Sequence, residues 1–416
     1  MTNSAAPQST PISACRSCGS MHLSIVLDLG RQPLANALLT GDELTKPEPV
    51  FPLEVVVCEA CGLAQVGETI PPAVLFGKDY PYFSSFIPSL VEHSRKHAQE
   101  LMEEFSLGRN DLVVEVASND GYLLKNFVEA GIPTLGIDPA AGPGSAAVAA
   151  GVPTRTAYFG ATIARELAAQ GYRPKVMLAN NVLAHVSDIN DFVAGFAIMV
   201  ADDGIIEFEF PYVRDLVDRC AFDTIYHEHV FYYSLAALEP LFLRHGLYLV
   251  DVMRLEIHGG SLRLRVGKMP VKSERLKALQ EEERVAGVGR VTYFRDFACR
   301  VERVRRELRD MLGTYRQEGR SIAAYGAAAK GATLLNFLAL PEETISFVVD
   351  RNAHKVGKYM PGVRLPIRDV SEIRRTQPDY LLILTWNFAD EVVEQQRDYR
   401  DAGGTFLCPI PTPHVL

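Results

Sequence analysis

Two short stretches restrict the first part of this 416-residue chain more tightly than any other feature. Cys15-Arg-Ser-Cys18-Gly19 and Cys58-Glu-Ala-Cys61-Gly62 are near-identical knuckles. Each brings two sulfurs within reach of one ion, and the trailing glycine suits a tight turn. Four thiolates complete a tetrahedral zinc and leave no open coordination position. Such a site is structural, because its metal is an internal cross-link rather than a reagent. Redox pairs or unligated buried cysteines are the alternatives, and the match between the knuckles favours zinc. Of the seven cysteines, Cys220, Cys299 and Cys408 stand alone. An odd number, with no charged and apolar leader in MTNSAAPQSTPISA, fits a reducing cytoplasm better than a disulfide framework.

Hydrophobic residues make up 48% of the chain, enough for sizeable cores in two or three domains. The net charge of −9 shows no block of one sign, which argues against nucleic acid as a partner. No apolar run reaches membrane-spanning length, so no membrane partner is expected. The pattern divides into three regions. Residues 1–75 hold the knuckles and short strands. Residues 76–270 open with the aromatic stretch KDYPYFSSF and a helix over Ile87–Glu104. Strands and helices then alternate through DLVVEVA, TLGID, VMLANNVL and GIIEFEF, which predicts a parallel sheet with crossovers. Residues 271–416 begin with a charged helix pair over 271–318. A second, smaller doubly wound unit follows, read from SIAAYGAAAKGATLL, TISFVVD and DYLLILTW. The fold class is therefore α/β, with two Rossmann-like domains behind a zinc-binding one.

The strand Leu112–Val116 runs into Glu115-Val-Ala-Ser-Asn-Asp-Gly121 and then a helix. This is the strand–turn–helix form of a cofactor loop without the GxGxxG of dinucleotide enzymes. Glu115, Ala117, Asn119, Asp120 and Gly121 are its candidate binding residues. Asp138, ending the second strand, can accept from ribose hydroxyls. Asn180 and Asn181 end the third. An acid within the first strand and another closing the second suit S-adenosylmethionine (SAM) better than NAD.

VEVASNDGYLLK, NNVLAHV, IIEFEFPY, FDTIYHEH, HGGSLR, GAAAKGATLLN, VVDRNAHKVGKYMPG and the double CxxC together resemble the SAM-dependent sugar C-methyltransferases of antibiotic deoxysugar pathways. The likeness runs in order along nearly the whole chain. It is strongest to the enzymes that methylate C-3' of a dTDP-linked 3-amino-2,3,6-trideoxy-4-keto sugar, as in D-tetronitrose formation. It implies a zinc-binding N-terminal domain, a middle SAM domain and a C-terminal Rossmann-like domain, with the substrate between the last two. A cytoplasmic monomer is expected. Ala117 stands where many methyltransferases carry glycine. Other outcomes are methylation at C-3 or C-5 of another dTDP-4-keto deoxysugar, an NAD-dependent sugar-nucleotide oxidoreductase, and an idle zinc scaffold that binds a nucleotide sugar.

Carbon methylation beside a ketone needs a base and a donor to the enolate oxygen. FDTIYHEH is the densest source of such groups. His229 is the expected base, with Glu228 as its partner or as the alternative base. An extended backbone would point Glu228 away from His229, so a turn is expected. Tyr226, His185 and Tyr80 are the candidate donors to the substrate oxygen, and His227 reads as structural. HEH is not the HExxH of a zinc protease. Tyr82, Ser84, Ser85, His258, Gly259 and Gly260 are assigned to the sugar pocket, although a hairpin turn also explains His258-Gly259-Gly260. Tyr325 and Lys330, in a small-residue loop opening a helix, are assigned to the substrate's diphosphate.

Overall fold

The computed structural model describes residues 9–75, 83–86 and 88–416. Tyr80 and Tyr82 lie outside the described residues, and so does the side chain of His258. Strands β1 (Leu23–Pro33), β2 (Val50–Cys58) and β3 (Ala64–Val66) form an antiparallel meander. The middle region supplies β4 (Val113–Val116), β5 (Thr134–Asp138), β6 (Thr154–Thr156), β7 (Val176–Asn180) and β8 (Ile205–Pro211). It continues with β9 (Phe231–Tyr232), β10 (Tyr248–Leu255) and β11 (Ser261–Gly267). The C-terminal region adds β12 (Ile322–Tyr325), β13 (Val348–Asp350), β14 (Ile367–Asp369), β15 (Tyr380–Ile383), β16 (Thr405–Cys408) and β17 (His414–Val415).

The middle sheet has the order β10-β11-β8-β7-β4-β5-β6, parallel from β8 to β6, with β11 antiparallel between β8 and β10. Its inner strands are buried on both faces, as VVEV in β4 shows, because crossovers cover a parallel sheet from both sides. From β4 the chain winds outward to β5 and β6, then returns to β7 on the other flank. That reversal opens a crevice at the carboxyl ends of β4 and β7, the place where such sheets bind ligands. The third sheet, β14-β13-β12-β15-β16-β17, repeats the device with its reversal at β12. No helix among the described residues is long and apolar enough to cross a membrane.

Strand β8, IIEFEFP, carries two acids into the interior. Ile206, Phe208 and Phe210 join the core, while Glu207 and Glu209 face the other way and are almost fully buried. A buried carboxylate is stable only when paired. The antiparallel neighbour β11 sets Arg265 opposite Glu207 and Arg263 opposite Glu209. Arg265 Nε donates to Glu207 at 2.8 Å and Arg263 Nη2 to Glu209 at 3.2 Å. The helix Pro88–Glu104 completes the network, with His97 on Glu207 and His93 on Glu209. These pairs fix the helix that follows the KDYPYFSSF stretch.

Two features depart from the simple three-region picture. The HEH segment feeds β9, which pairs with β3, so the first sheet reads β9-β3-β2-β1 and includes a strand from the middle region. The charged helix pair forms as Glu274–Ala286 and Val291–Gln317, but its members divide between cores. Leu276 and Leu279 pack with the middle sheet. Phe294 and Phe297 join a core that also takes in Val55, Val57, Phe222, Ile225, Ile322 and Leu382. That core binds all three regions.

Candidate active site

The four knuckle sulfurs lie within 4.8 Å of one another. Cys15 Sγ is 3.7 Å from Cys61 Sγ, and Cys18 Sγ is 3.5 Å from Cys58 Sγ. Tetrahedral zinc with bonds of about 2.3 Å sets its sulfurs about 3.8 Å apart, so the cluster fits that ion. Gly19 and Gly62, at φ +75° and +74°, close the two turns by donating N–H to the Cys15 and Cys58 carbonyls. The first knuckle is anchored on the middle region. Asn190 Nδ2 donates to the Arg16 and Ser17 carbonyls, and Arg244 donates to Ser17.

The loop after β4 is held by Asp138. Its Oδ2 accepts from the Asn119 N–H at 2.8 Å, and its Oδ1 from the Ala140 N–H at 2.7 Å. Ala117 sits at φ +58° and Asn119 at +50°. A left-handed alanine costs about 1–2 kcal/mol, so the turn keeps the shape a glycine would give at some expense in stability. Asn119 Oδ1 accepts from the Ser84 N–H at 2.9 Å, and Asp120 Oδ2 from the Ser85 N–H at 3.2 Å. Ser84 and Ser85, expected in the sugar pocket, therefore contact the cofactor loop through their backbone. Three buried acids converge here. Burial, with Asp138 and Asp120 nearby, raises Glu115 well above the ordinary carboxylate range, and burial also raises Asp138. Glu115 Oε2, Asp120 Oδ1 and Asn180 Oδ1 are buried without a hydrogen-bond partner among the described residues. Asn181, at φ +54°, spends its N–H on the Glu209 carbonyl. Unsatisfied acceptors and clustered acids fit SAM, with its sulfonium, ammonium and ribose hydroxyls, and disfavour a diphosphate.

After the turn Phe222–Thr224 the chain bends again, and His229 N–H donates to the Tyr226 carbonyl at 2.9 Å. The bend that HEH requires is thus formed. His229 Nδ1 lies 3.1 Å from the Thr224 carbonyl, which can only accept, so Nδ1 carries the proton. Nε2 is then an acceptor, and the Tyr226 hydroxyl donates to it at 2.7 Å. The His185 ring meets His229 edge-on at 4.8 Å between centroids.

One expectation changes. Glu228 does not pair with His229: Asn36 Nδ2 donates to its Oε1 at 2.8 Å and its Oε2 at 2.9 Å. Burial raises the Glu228 carboxyl to about 7, and the Asn36 hydrogen bond opposes that rise. Burial lowers His185, expected as a donor to substrate, to about 4, and a hydrogen bond with the Glu228 backbone opposes that shift. Lys330, assigned to the substrate's diphosphate, is half-buried. Its Nζ donates to Asn387 Oδ1 at 2.6 Å and lies 4.9 Å from the centre of the Trp386 ring, and burial lowers its pKa while Asp223 opposes the shift. Trp386 Nε1 in turn donates to buried Asp223 at 2.7 Å.

His227, read as structural, is held against the backbone of β2. It is buried with Nε2 3.1 Å from the Pro52 carbonyl and its ring edge-on to Phe51. His258-Gly259-Gly260 forms the turn between β10 and β11. Gly260 is at φ +121°, where a Cβ would lie 2.5 Å from Asp215 Oδ2. Tyr325 is buried in β12 and its hydroxyl lies 3.5 Å from Gln395 Oε1. Asn36 is the site residue that the sequence did not reveal. Nothing in PLANALLT marks it, and its partner is 192 residues away.

Family models match three consecutive stretches: a zinc binding domain at 15–76, a methyltransferase domain at 90–252 and a C-methyltransferase C-terminal domain at 256–411. The chain is 37% identical over 409 residues to the C-methyltransferase NovU of Streptomyces niveus, covering 98% of this chain and 97% of that one. Among solved structures, magnesium protoporphyrin IX methyltransferase of Synechocystis PCC 6803 is 14% identical, with 44% of this chain and 79% of that one covered and a TM-score of 0.33. A SAM-dependent methyltransferase of Clostridium acetobutylicum is 11% identical, with 44% and 92% covered and a TM-score of 0.34. Likenesses at that level carry no argument, whereas the match to NovU spans the whole architecture. The chain belongs to the C-methyltransferase family, with a zinc-binding domain, a SAM-dependent methyltransferase domain and the C-terminal domain of that family.

Proposed function

We propose that this enzyme methylates C-3' of a dTDP-linked 3-amino-2,3,6-trideoxy-4-keto sugar, with His229 removing the proton from that carbon. The observation that carries the reading is the His229–Tyr226 pair. Thr224 fixes the proton of the imidazole on Nδ1, so the Nε2 lone pair is the basic site. Tyr226 covers that lone pair with its hydroxyl. Turning the phenol proton onto the ketone oxygen frees Nε2 and supplies a donor to the developing enolate in the same movement. Nε2 then takes the carbon's proton, and the imidazolium later returns it to solvent. SAM, when bound, supplies the electrophilic methyl that the enolate carbon attacks. Glu115, Asn119, Asp120, Gly121, Asp138, Asn180 and Asn181 are the residues that would hold SAM in the crevice at β4 and β7. Lys330 is the cation we assign to the diphosphate of the substrate.

A second reading makes Glu228 the base. It is favoured by one observation, a buried carboxyl raised to about 7 beside the same turn. Incubation of candidate dTDP-4-keto sugars with SAM, read by mass spectrometry, tests the function. One added methyl on the 3-amino sugar is expected. Methylation of a neutral deoxysugar alone, or at C-5, would replace this substrate by another of the same class.

A further inference from the structure

We propose that Asn36, which belongs to the zinc-binding domain, is a positioning residue for methyl transfer and acts by favouring the ionised Glu228 carboxylate and holding it in one orientation. The inference rests on the second reading, in which Glu228 is the base.

One amide nitrogen reaches both carboxylate oxygens of Glu228, at 2.8 and 2.9 Å. The carboxylate is buried, whereas Asn36 itself is exposed. Among the described residues no cation pairs with Glu228. Among the described residues, the titratable groups around its turn are His227, His229 and Tyr226 on the same segment, His185 behind it, and buried Tyr232 against the Tyr226 backbone. The amide therefore stands where an arginine or lysine would otherwise be needed. A hydrogen bond to the charged form favours that form, and burial opposes it.

The placement of Asn36 is built rather than incidental. It follows β1 in a turn closed by the Ala37 N–H on the Leu34 carbonyl. Leu34 and Ala35 before it are buried in two cores. Leu39 after it exchanges two backbone hydrogen bonds with Tyr359 of the C-terminal region. From the other side, β9 fixes the HEH turn against β3 of the same sheet. Donor and acceptor thus lie in loops attached to the two edge strands of one sheet, and these loops meet.

The test compares Asn36→Ala, Glu228→Gln and the double variant in full-length, zinc-loaded protein, using SAM and the dTDP-4-keto sugar that the wild type methylates. Asn36→Ala should lower kcat at pH 7 about tenfold and leave the KM for SAM unchanged. The acid limb of its kcat profile should move up by about one pH unit, so that activity recovers at alkaline pH. In the Glu228→Gln background, Asn36→Ala should have little further effect. An unmoved acid limb, or an equal loss in both backgrounds, would overturn the assignment of Asn36. A Glu228→Gln enzyme as fast as wild type would instead remove Glu228 from the reaction, which is a separate failure of the underlying reading.

Discussion

Asp138 and Asp350 make the same pair of hydrogen bonds in two different sheets. Asp138 Oδ2 accepts from the Asn119 N–H and its Oδ1 from the N–H two residues ahead, at Ala140. Asp350 Oδ2 accepts from the Ala327 N–H at 2.8 Å and its Oδ1 from the N–H two residues ahead, at Asn352. In each doubly wound unit, an acid ending the second strand ties down the loop after the first. Their surroundings differ. Asp138 stands with Glu115 and Asp120, whereas Asp350 is answered by Lys355, 3.5 Å away, which also donates to the Ala327 carbonyl. The acids around Asp138 are left for a cationic ligand, whereas the charge of Asp350 is met by Lys355.

That contrast gives the first prediction. Asp138→Ala removes a charge-assisted bond worth about 1.5–3 kcal/mol from the cofactor loop, so SAM affinity should fall about 10- to 100-fold. Asp350→Ala makes the same chemical change in the other unit and should leave SAM affinity at the wild-type value. Calorimetric titration of both variants checks this. Equal weakening in the two would mean that the loss is global and that Asp138 has no special place at the cofactor.

Zinc should matter for turnover as well as for folding. Cys58 ends β2, the knuckle leads into β3, and β3 pairs with β9 directly after the HEH turn. Cys58→Ser should lose the metal, which is expected at about one ion per chain, and lower the melting temperature. Because His229 is placed through that sheet, kcat should fall at temperatures where the protein remains folded. Metal analysis with circular dichroism and turnover at 15 °C decides it. A folded, zinc-free variant with full activity would separate the metal from the site.

Much of this arrangement was legible in the residues, and the exceptions have a common cause. The knuckles, the alternating strands and the loop at Glu115 are local patterns, so spacing alone exposed them. The acids of β8 read only as part of IIEFEFP. Their meaning depends on Arg263 and Arg265, which register pairing across an antiparallel strand brings opposite. The expected Glu228–His229 pair failed for a similar reason. Sequence proximity suggested it, but the turn sends the two side chains to different partners, Asn36 and Tyr226. The partners of Lys330, Asn387 and Trp386, come from a later strand–helix connection, so nothing local to GAAAKGATLLN reveals them.

Stability should depend on pH with opposing contributions. Glu228 is raised to about 7 in the folded chain, so its contribution is full below its unfolded value near 4.5 and is lost as pH rises through 7. At about 1.4 kcal/mol per pH unit the loss is on the order of 3 kcal/mol. His185 and His227 are lowered to about 4 by burial, so their contribution is present above about 6.5 and is lost as pH falls through 4. Glu228→Gln removes only the first effect. Its melting temperature relative to wild type should therefore climb by several degrees between pH 5 and pH 8. A difference that stays flat across that range would show that the carboxyl titrates alike in both states.

The final prediction concerns the proton transfer itself. His229→Asn keeps a hydrogen-bonding edge but has no basic nitrogen, so turnover should fall by about 10²–10⁴. Tyr226→Phe removes the hydroxyl from Nε2 and with it the donor to the enolate, which should cost about 10²–10³. The two differ in what they do to the substrate carbon before methylation. In deuterated buffer with the dTDP-4-keto sugar and S-adenosylhomocysteine, wild-type enzyme should exchange the proton beside the ketone, a reaction followed by NMR. Tyr226→Phe should still exchange it, more slowly, because a base remains. His229→Asn should not exchange it at all, although SAM and the sugar nucleotide still bind, since neither needs that lone pair. Exchange at the wild-type rate in His229→Asn would pass the role of base to Glu228, and Glu228→Gln should then abolish it.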